Sequence, residues 1–229
     1  MRGAWGLGLV ACAIAQPTLS DSLQRLFERD FAFDVVVVRT FPVQTVLTDT
    51  FPLVSLLSGP VRVGLAWHFR QGKGWAFTLQ AGGVWGRYVL RATRASVVPY
   101  AEKMPENYRW LKYRWGGLYL QGALRWERLQ KGDLFPRFWI EAGGWLQRQI
   151  GSSLKYVAQR EGYTERVRWE GIQVFLPWQG GVYAMVGRQW IGASVYYHLA
   201  PVFRRGIYAG SGHPYPTAPP WEVGFVLAL

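Results

Sequence analysis

The stretch VRVGLAWHFR, Val61–Arg70, decides the fold of this chain, because its apolar and polar residues alternate without a break. Every odd-numbered residue in it is apolar, and every even-numbered one is small, charged or, at His68, an imidazole. Successive side chains of a β-strand point to opposite faces of the sheet. The stretch therefore predicts a strand with one apolar face and one face that is polar or small.

The same alternation recurs in Leu118–Arg128, in Ile191–Leu199 and in Trp221–Leu229. A soluble sandwich or barrel turns its apolar face inward, whereas a membrane barrel turns that face toward lipid and keeps polar residues in its lumen. Three features favour the membrane version: small residues on the polar face, aromatic residues near strand ends, and alternation that continues to Leu229.

Short and long connections alternate along the chain, as they do in barrels with short periplasmic turns and long outer loops. The tight turns fall at Gln71–Gly74, Gln130–Asp133 and Gly187–Gln189. We therefore predict an all-β fold, an eight-stranded antiparallel up-and-down transmembrane β-barrel with short periplasmic turns and longer outer loops. The predicted strands are 31–40, 61–70, 75–92, 109–128, 137–156, 166–186, 190–203 and 221–229.

The composition limits the class of protein further. Half of the 229 residues are hydrophobic and 16% are aromatic, which excludes a disordered chain. A single cysteine excludes a disulfide scaffold and a Cys-rich zinc site, and no apolar run is long enough for a transmembrane helix. The formal net charge is +12, from 26 Lys+Arg against 14 Asp+Glu, so the chain carries a basic excess.

The N-terminal residues have the organisation of an export signal. Arg2, an apolar stretch and the small-x-small site Ala13-Ile14-Ala15 predict a cleaved signal peptide and hence export, which together with the predicted barrel gives a location in the bacterial outer membrane. A lipoprotein cleavage box that ends at Cys12 is the alternative. The predicted divisions are a signal peptide at 1–15, a leader or short amphipathic helix at 16–30, and the barrel at 31–229.

Paired glycines stand at matching places in two of the predicted strands, at Gly82-Gly83 and at Gly143-Gly144. Glycine inside a strand is typical of a bulge or of a sharp bend at a barrel corner. The alternation also shifts its phase near the first pair. We therefore predict a bulge or a bend at each pair of glycines.

A recognisable order of glycine, aromatic and alternating positions begins at Lys112. Its elements are Lys112-Tyr113-Arg114, Leu118-Tyr119-Leu120, Phe138–Gly144, Gly180-Gly181-Val182 and the strand Ile191–Leu199. Over roughly Val61–Leu229 this order resembles the PorT-like outer-membrane β-barrel proteins of Bacteroidota-type bacteria. The chain departs from that pattern at Gln121-Gly122-Ala123, where the family often has an acidic residue and a proline. The resemblance implies a barrel in the outer membrane and a link to protein secretion across it.

Charged residues on the polar faces of the predicted strands are expected to point into the lumen. An ion pathway or a catalytic constellation is one interpretation, and a lumen filled by paired charges is the other, which an eight-stranded barrel favours because its interior is only wide enough for side chains. Asp34 joins the set if the first strand keeps its phase. The predicted lumen-facing polar network is Arg62, His68, Arg70, Arg125, Glu127, Glu141, Arg168, Glu170 and Glu222.

The basic excess gathers near the predicted outer loops, where it would meet the phosphates of lipopolysaccharide and outer-membrane lipid. An ordinary solvated surface is the alternative, and an exported membrane protein is not expected to bind nucleic acid. Further basic residues flank the later loops. The predicted outer-loop basic cluster is Arg91, Arg94, Lys103, Arg109, Lys112 and Arg114.

Catalysis has few candidates in this sequence. Ser211-Gly212-His213 lies in the last predicted outer loop, and His198 lies near the outer end of the seventh strand. A serine nucleophile needs a hydrogen-bonded histidine and a third group that orients it. The chain shows no lipid-enzyme motif and has three scattered histidines, so we predict no enzyme activity, no cofactor and no metal site.

The sequence thus predicts a non-enzymatic integral outer-membrane barrel that is a structural, assembly or secretion-associated component, with protein partners in a membrane assembly. A narrow channel or a barrel that binds a small molecule or lipid is one alternative. A soluble, lipocalin-like periplasmic barrel is another.

Overall fold

Strict alternation along the chain produces long antiparallel strands. The computed structural model describes residues 31–43, 53, 55–71, 74–91, 108–128, 136–160, 162–172, 174–203, 208–209, 213–214 and 218–229. The predicted signal peptide and the predicted leader or helix lie outside these residues. The strands are β1 Phe31–Pro42, β2 Gly59–Arg70, β3 Trp75–Arg91, β4 Tyr108–Arg128, β5 Phe138–Arg160, β6 Tyr163–Glu170, β7 Trp178–Arg188, β8 Ile191–His198, β9 Tyr208–Ala209, β10 His213–Pro214 and β11 Trp221–Ala228.

Eight of these strands close into one barrel. The order around the wall is β1, β2, β3, β4, β5, β7, β8 and β11, and β11 pairs with β1 to close the ring. Every pairing is antiparallel. The predicted eight-stranded antiparallel barrel is therefore confirmed. Ser55–Leu57 forms a short 3-10 turn, and among the described residues no helix is long and apolar enough to cross a membrane.

The register fixes the tilt of the strands. Following paired residues once around the wall leads from Ile140 on β5 back to Gly151 on the same strand, eleven residues further on (151 − 140). One of the eleven is Ile150, which the register shift at Gly116/Gly117 leaves unpaired. A stagger of about ten residues over eight strands corresponds to a strand tilt of roughly 40°.

The predicted sixth strand, 166–186, is divided into two. Both parts pair with β5: β6 pairs with Ser153–Arg160, and β7 pairs with Trp139–Arg148. Gly171 between them adopts a left-handed backbone conformation (φ 68°), and Phe175 turns into the interior, where it bridges to Phe203. The strand breaks here because an aromatic side chain fills the barrel at this level.

Two halves of the barrel differ in what faces inward. The turn-side half lies between the tight turns and the level of Trp85 on β3, and its interior combines buried charged and polar residues with a cluster of apolar and aromatic ones that includes Trp139, Trp145 and Met185. The loop-side half comprises 87–91, 108–116, 151–172, 174–176 and 199–203, and its interior is apolar. β5 and β6 continue in the loop-side half as a hairpin beyond the closed wall.

The interior of the loop-side half is an aromatic core. Tyr113 is fully buried and makes edge-on contacts with Phe175 and Phe203, at ring-centroid distances of 6.1 and 5.9 Å. Tyr88 packs against the same two phenylalanines. Burial raises the pKa of the Tyr88 phenol well above its ordinary value, so the ring stays neutral. Leu90, Leu111, Trp115, Leu154, Tyr156, Ile172, Val174 and Val202 complete this core.

The paired glycines do not form the predicted bulges. The ladders on both sides of Gly82-Gly83 and of Gly143-Gly144 keep a continuous register, and the register shifts of the described ladders lie instead at Tyr108/Trp110 and at Gly116/Gly117. Gly82 faces Gly64 across β2 and β3, and a Cβ on Gly82 would overlap the carbonyl oxygen of Val63. Glycine is required here because the backbones pack closely, which alternation alone could not distinguish from a bulge.

Candidate functional site

The polar interior of the turn-side half is the candidate site. Six residues of the predicted lumen-facing network are buried there, and each is at most 3% exposed. Arg70 and Asp34 lie partly buried at the end nearest the tight turns. The six are Arg62, His68, Arg125, Glu127, Glu141 and Glu222.

Glu222 on β11 is the centre of the first cluster. Thr40 on β1 donates its hydroxyl to Glu222 Oε2 at 2.7 Å, and His198 Nε2 lies 3.0 Å from Oε1. The Arg62 guanidinium lies 3.4 Å from the same carboxylate. Strands β1, β2, β8 and β11 each contribute one of these residues, so the cluster ties together the four strands around the closure of the barrel.

Arg62 is also held by aromatic rings. Its guanidinium carbon lies 4.3 Å from the ring centre of Tyr196 and 5.3 Å from that of Trp145. Arginine stacks on aromatic faces because its delocalised cation is weakly hydrated and is attracted by the ring quadrupole. These contacts and the Glu222 carboxylate together compensate the burial of a charge that has no access to water.

A second cluster lies closer to the tight turns. His68 contacts Thr78 through Nδ1 at 2.9 Å and Asp34 through Nε2 at 3.0 Å. The Arg125 guanidinium lies 3.4 Å from the same His68 nitrogen, and 3.7 Å from the Glu141 carboxylate. Arg125 therefore connects the His68–Asp34 pair to the acidic side chains of β4 and β5.

The remaining acidic groups of this second cluster are paired as well. Arg70 donates to Glu127 at 2.6 Å, and Arg125 lies 3.3 Å from the other oxygen of Glu127. Tyr183 donates its phenol to Glu141 at 2.6 Å. Each carboxylate thus has a donor, as a buried charge requires.

Amide and phenol side chains share this interior with the two clusters, and sequence reasoning missed them because it selected only charged residues. Gln121 donates to Tyr196 at 2.9 Å, and Gln80 donates to Tyr119 at 2.6 Å. Their inward direction follows from the alternation, since they share the parity of Arg125 on β4 and of Thr78 on β3. Further inward polar residues are Gln147, Gln179 and Ser194.

Arg168 and Glu170 do not belong to this interior, and the expectation that they face the lumen is corrected. They form an ion pair of 2.9 Å on β6 with 61% and 71% of their side chains exposed. On that strand Val167 and Trp169 turn inward and pack on the aromatic core. The charged residues therefore point outward, because the interior of the loop-side half is apolar.

This arrangement can stabilise buried charges, but its polar groups are bonded to one another and are hardly accessible to a substrate. The described residues place three arginines, four carboxylates and two histidines in the interior of the turn-side half, so its charges nearly balance. The order Asp34–His68–Thr78 has the form of a relay, yet Thr78 is only 1% exposed. Among the described residues no three His, Cys, Asp or Glu side chains are arranged to hold a metal ion.

The proposed serine–histidine candidate is not assembled in the described part of the chain. Ser211 and Gly212 lie outside the described residues, and for His213 only the backbone is described, in β10. His198 faces the interior instead, where it contacts Glu222.

The predicted outer-loop basic cluster is only partly brought together. Arg94 and Lys103 lie outside the described residues, whereas Arg91 lies at the end of β3 and Arg109 near the start of β4. Lys112 and Arg114 lie on the outer face of the loop-side half. Four further basic residues share that face: Arg87, Lys155, Arg166 and Arg168.

Comparison of this chain with protein-family models, with curated proteins and with solved structures found no match.

Proposed function

We propose that this chain is an integral β-barrel protein of the bacterial outer membrane that acts, without catalysis, as a structural, assembly or secretion-associated component. The observation that carries the proposal is a continuous band of exposed apolar side chains around the turn-side half. A surface of this kind is costly in water and is stabilised by lipid.

The band has the dimensions of a bilayer core. On β2 it runs over Val61–Phe69, and on β3 over Trp75–Trp85, so each strand presents about 9 to 11 residues, the length that a tilted strand needs to cross the hydrocarbon. Its outward side chains are strongly exposed: Leu124 and Phe225 are each 63% exposed. Large apolar residues that are this exposed, or about half exposed like Leu120 (48%) and Val182 (49%), lie on several strands, and such a surface favours lipid over water.

Aromatic residues border the band at both edges. Near the tight turns, Trp126 packs edge-on against Phe138. Near the loops, Tyr197 packs against Trp221 at 4.6 Å between ring centres, and Arg148 lies over Trp178. Aromatic girdles of this kind lie at the two interfaces of membrane barrels.

The interior weighs against both alternative functions. A lipocalin-like barrel would hold its ligand in an apolar cavity, whereas charged side chains line the turn-side half and packed aromatic rings occupy the apolar interior of the loop-side half. An open channel would expose those side chains to water, but Arg62 and Glu222 are at most 1% exposed. With the interior filled, function is left to the outer surfaces and loops, which suits an anchoring or assembly role.

The resemblance to PorT-like proteins supports a role in secretion across the outer membrane, with protein partners. It is a likeness of pattern, and fold alone does not determine function. A pull-down from outer membranes, with the barrel as bait, tests this part of the proposal. Recovery of the bait without other membrane or secretion proteins would contradict the assembly role.

Cell fractionation tests the location. We expect the protein in the outer-membrane fraction, with heat-modifiable migration on gels because a closed barrel stays folded in detergent until it is boiled. Recovery in the soluble periplasm would overturn the proposal in favour of the lipocalin-like barrel. In planar bilayers we expect no conductance, and steady single-channel steps would favour the channel.

A further inference from the structure

Basic residues stand directly opposite one another on the outer face of the loop-side half. Arg87 on β3 pairs in register with Arg114 on β4. In the next row toward the loops, Lys112 on β4 pairs with Lys155 on β5, and Lys155 pairs with Arg168 on β6. We name Arg87, Lys112, Arg114, Lys155 and Arg168 the basic ladder.

The ladder has little acidic compensation. Among the described residues of these two rows, Glu170 is the acidic one, and it is paired with Arg168. Arg87 donates to a backbone carbonyl, that of Leu57. The described part of the chain supplies neither a carboxylate nor a hydrogen bond to the side chains of Lys112, Arg114 and Lys155.

Such a ladder is unfavourable for the barrel alone. Residues directly opposite in an antiparallel pair have Cβ atoms about 5 Å apart, and like charges at that distance destabilise the pair. The repulsion is relieved when an anion lies between the cations. Phosphate suits this place, because it offers several oxygens at once and arginine can donate to two of them.

The position of the ladder indicates the kind of molecule that carries the phosphate. Arg87, the first residue of the ladder on β3, is the next outward-facing residue after Trp85, which is 58% exposed at the loop-side edge of the apolar band. Lipid headgroups lie at this level if the chain spans a membrane. Below Arg114, the outward Leu118 and Ile150 are also strongly exposed and would contact acyl chains.

A groove connects the two regions. Its lining includes Trp85, Arg114 and the ion pair of Arg168 with Glu170, together with small residues: Gly116, Gly117, Gly151, Ser152 and Ser153. The register shift at Gly116/Gly117 lies among these small residues. Two arginines against one glutamate give the loop end of the groove a net positive charge, and Trp85 and Ile150 give it apolar walls toward the band, which is the polarity of a phosphorylated lipid.

We infer that this groove and the basic ladder bind the phosphate groups of a phosphorylated outer-leaflet lipid, of the lipopolysaccharide class. The inference rests on the proposed membrane location. Arg114 and Arg168 would hold a phosphate at the mouth of the groove, Lys112 and Lys155 would neutralise a second one, and the acyl chains would lie along Leu118 and Ile150.

A binding experiment tests the inference. The detergent-solubilised barrel is titrated with lipid A, with lipid A stripped of its phosphates, and with inorganic phosphate, and native mass spectrometry measures the bound fraction. We expect lipid A to bind at least about tenfold more tightly than the stripped lipid, because charge-assisted contacts are lost. The paired variant Arg114→Gln/Lys155→Gln should lose about tenfold in affinity for lipid A.

The matched control is Arg128→Gln/Arg188→Gln, which removes two exposed cations at the opposite end of the barrel. It should bind lipid A as the unmodified protein does. Both variants should keep heat-modifiable migration, and the ladder variant should be at least as heat-resistant without lipid, because its repulsion is reduced.

The following results would contradict the proposed lipid site. Equal binding of lipid A and the stripped lipid, or equal losses in both variants, would overturn it. If inorganic phosphate bound as tightly as lipid A, the site would be one for a free anion and the lipid assignment would be wrong. These results leave the membrane location intact, whereas a soluble protein in cell fractionation would remove the proposed function itself.

Discussion

The two halves of the barrel use the same strands in opposite ways. On β4 in the turn-side half, Leu120 faces outward and is 48% exposed, whereas Gln121 faces inward and is buried. Further along the same strand in the loop-side half, the outward residue is Arg114 and the inward one is Tyr113. Along β4 the odd-numbered residues face inward in both halves, yet the polarity of the alternation reverses.

The reversal shows that the two halves differ in where charges are buried. The loop-side half buries aromatic rings, as a water-soluble protein does, and gains from the hydrophobic effect. The turn-side half also buries apolar and aromatic side chains, but it adds buried charges, which contribute only when each one is paired. Equivalent substitutions in the two halves should therefore have unequal effects, and the pairs below test the difference.

Glu222→Gln should have the largest effect. It removes the charge that compensates Arg62 inside the turn-side half, and breaking a buried ion pair in this way costs about 3–5 kcal/mol of the free energy of unfolding. Glu170→Gln, which breaks the exposed pair with Arg168, should cost at most about 1 kcal/mol. Urea unfolding of both variants in lipid measures the difference, and similar losses would contradict a separation of the two halves.

Leu120→Arg should come next. It places a cation on the apolar band, where arginine near the bilayer midplane costs about 2–4 kcal/mol. The control is Tyr163→Arg on β6, an exposed position in the loop-side half that should tolerate the cation. Folding into lipid vesicles measures both. Equal stability of the two variants would mean that the band does not contact lipid.

Gly82→Ala should have an intermediate effect. Its Cβ would overlap the Val63 carbonyl oxygen across a continuous ladder, and overpacking of this kind costs about 1–3 kcal/mol. Gly151→Ala at the border of the halves is the control, because no atom lies within 4 Å of its added Cβ. Thermal unfolding of both variants should separate them, and a neutral Gly82→Ala would mean that the strands can move apart.

Alternation and turn spacing were sufficient to predict the barrel, since the alternation within each strand shows which residues share a face. They also predicted that Arg62, His68 and Glu222 would share one face. Residues on the same face of different strands meet only when the register is known, and the register depends on the stagger of the whole ring. The Glu222 cluster therefore could not be read from the sequence.

The misplacement of Arg168 and Glu170 has a similar physical origin. A period of two indicates which residues share a face but not which face is inside. In β6 the choice depends on Phe175 and Phe203, which fill the barrel from segments between strands. Packing of residues distant in sequence thus decides the direction of this strand, and no local pattern carries that information.

Deleting one methylene from an isoleucine in each half should have the smallest effect. It also gives the most direct comparison of the two halves. Ile172 is buried in the aromatic core, so Ile172→Val should cost about 0.5–1.5 kcal/mol, because the core cannot fully close the space. Ile140 points outward from the apolar band and is 45% exposed, so lipid chains can fill the space left by Ile140→Val. Unfolding in lipid should therefore show a loss only for Ile172→Val. Equal losses would mean that the outward face of the turn-side half is packed like a protein interior, against a solid partner and not against fluid lipid.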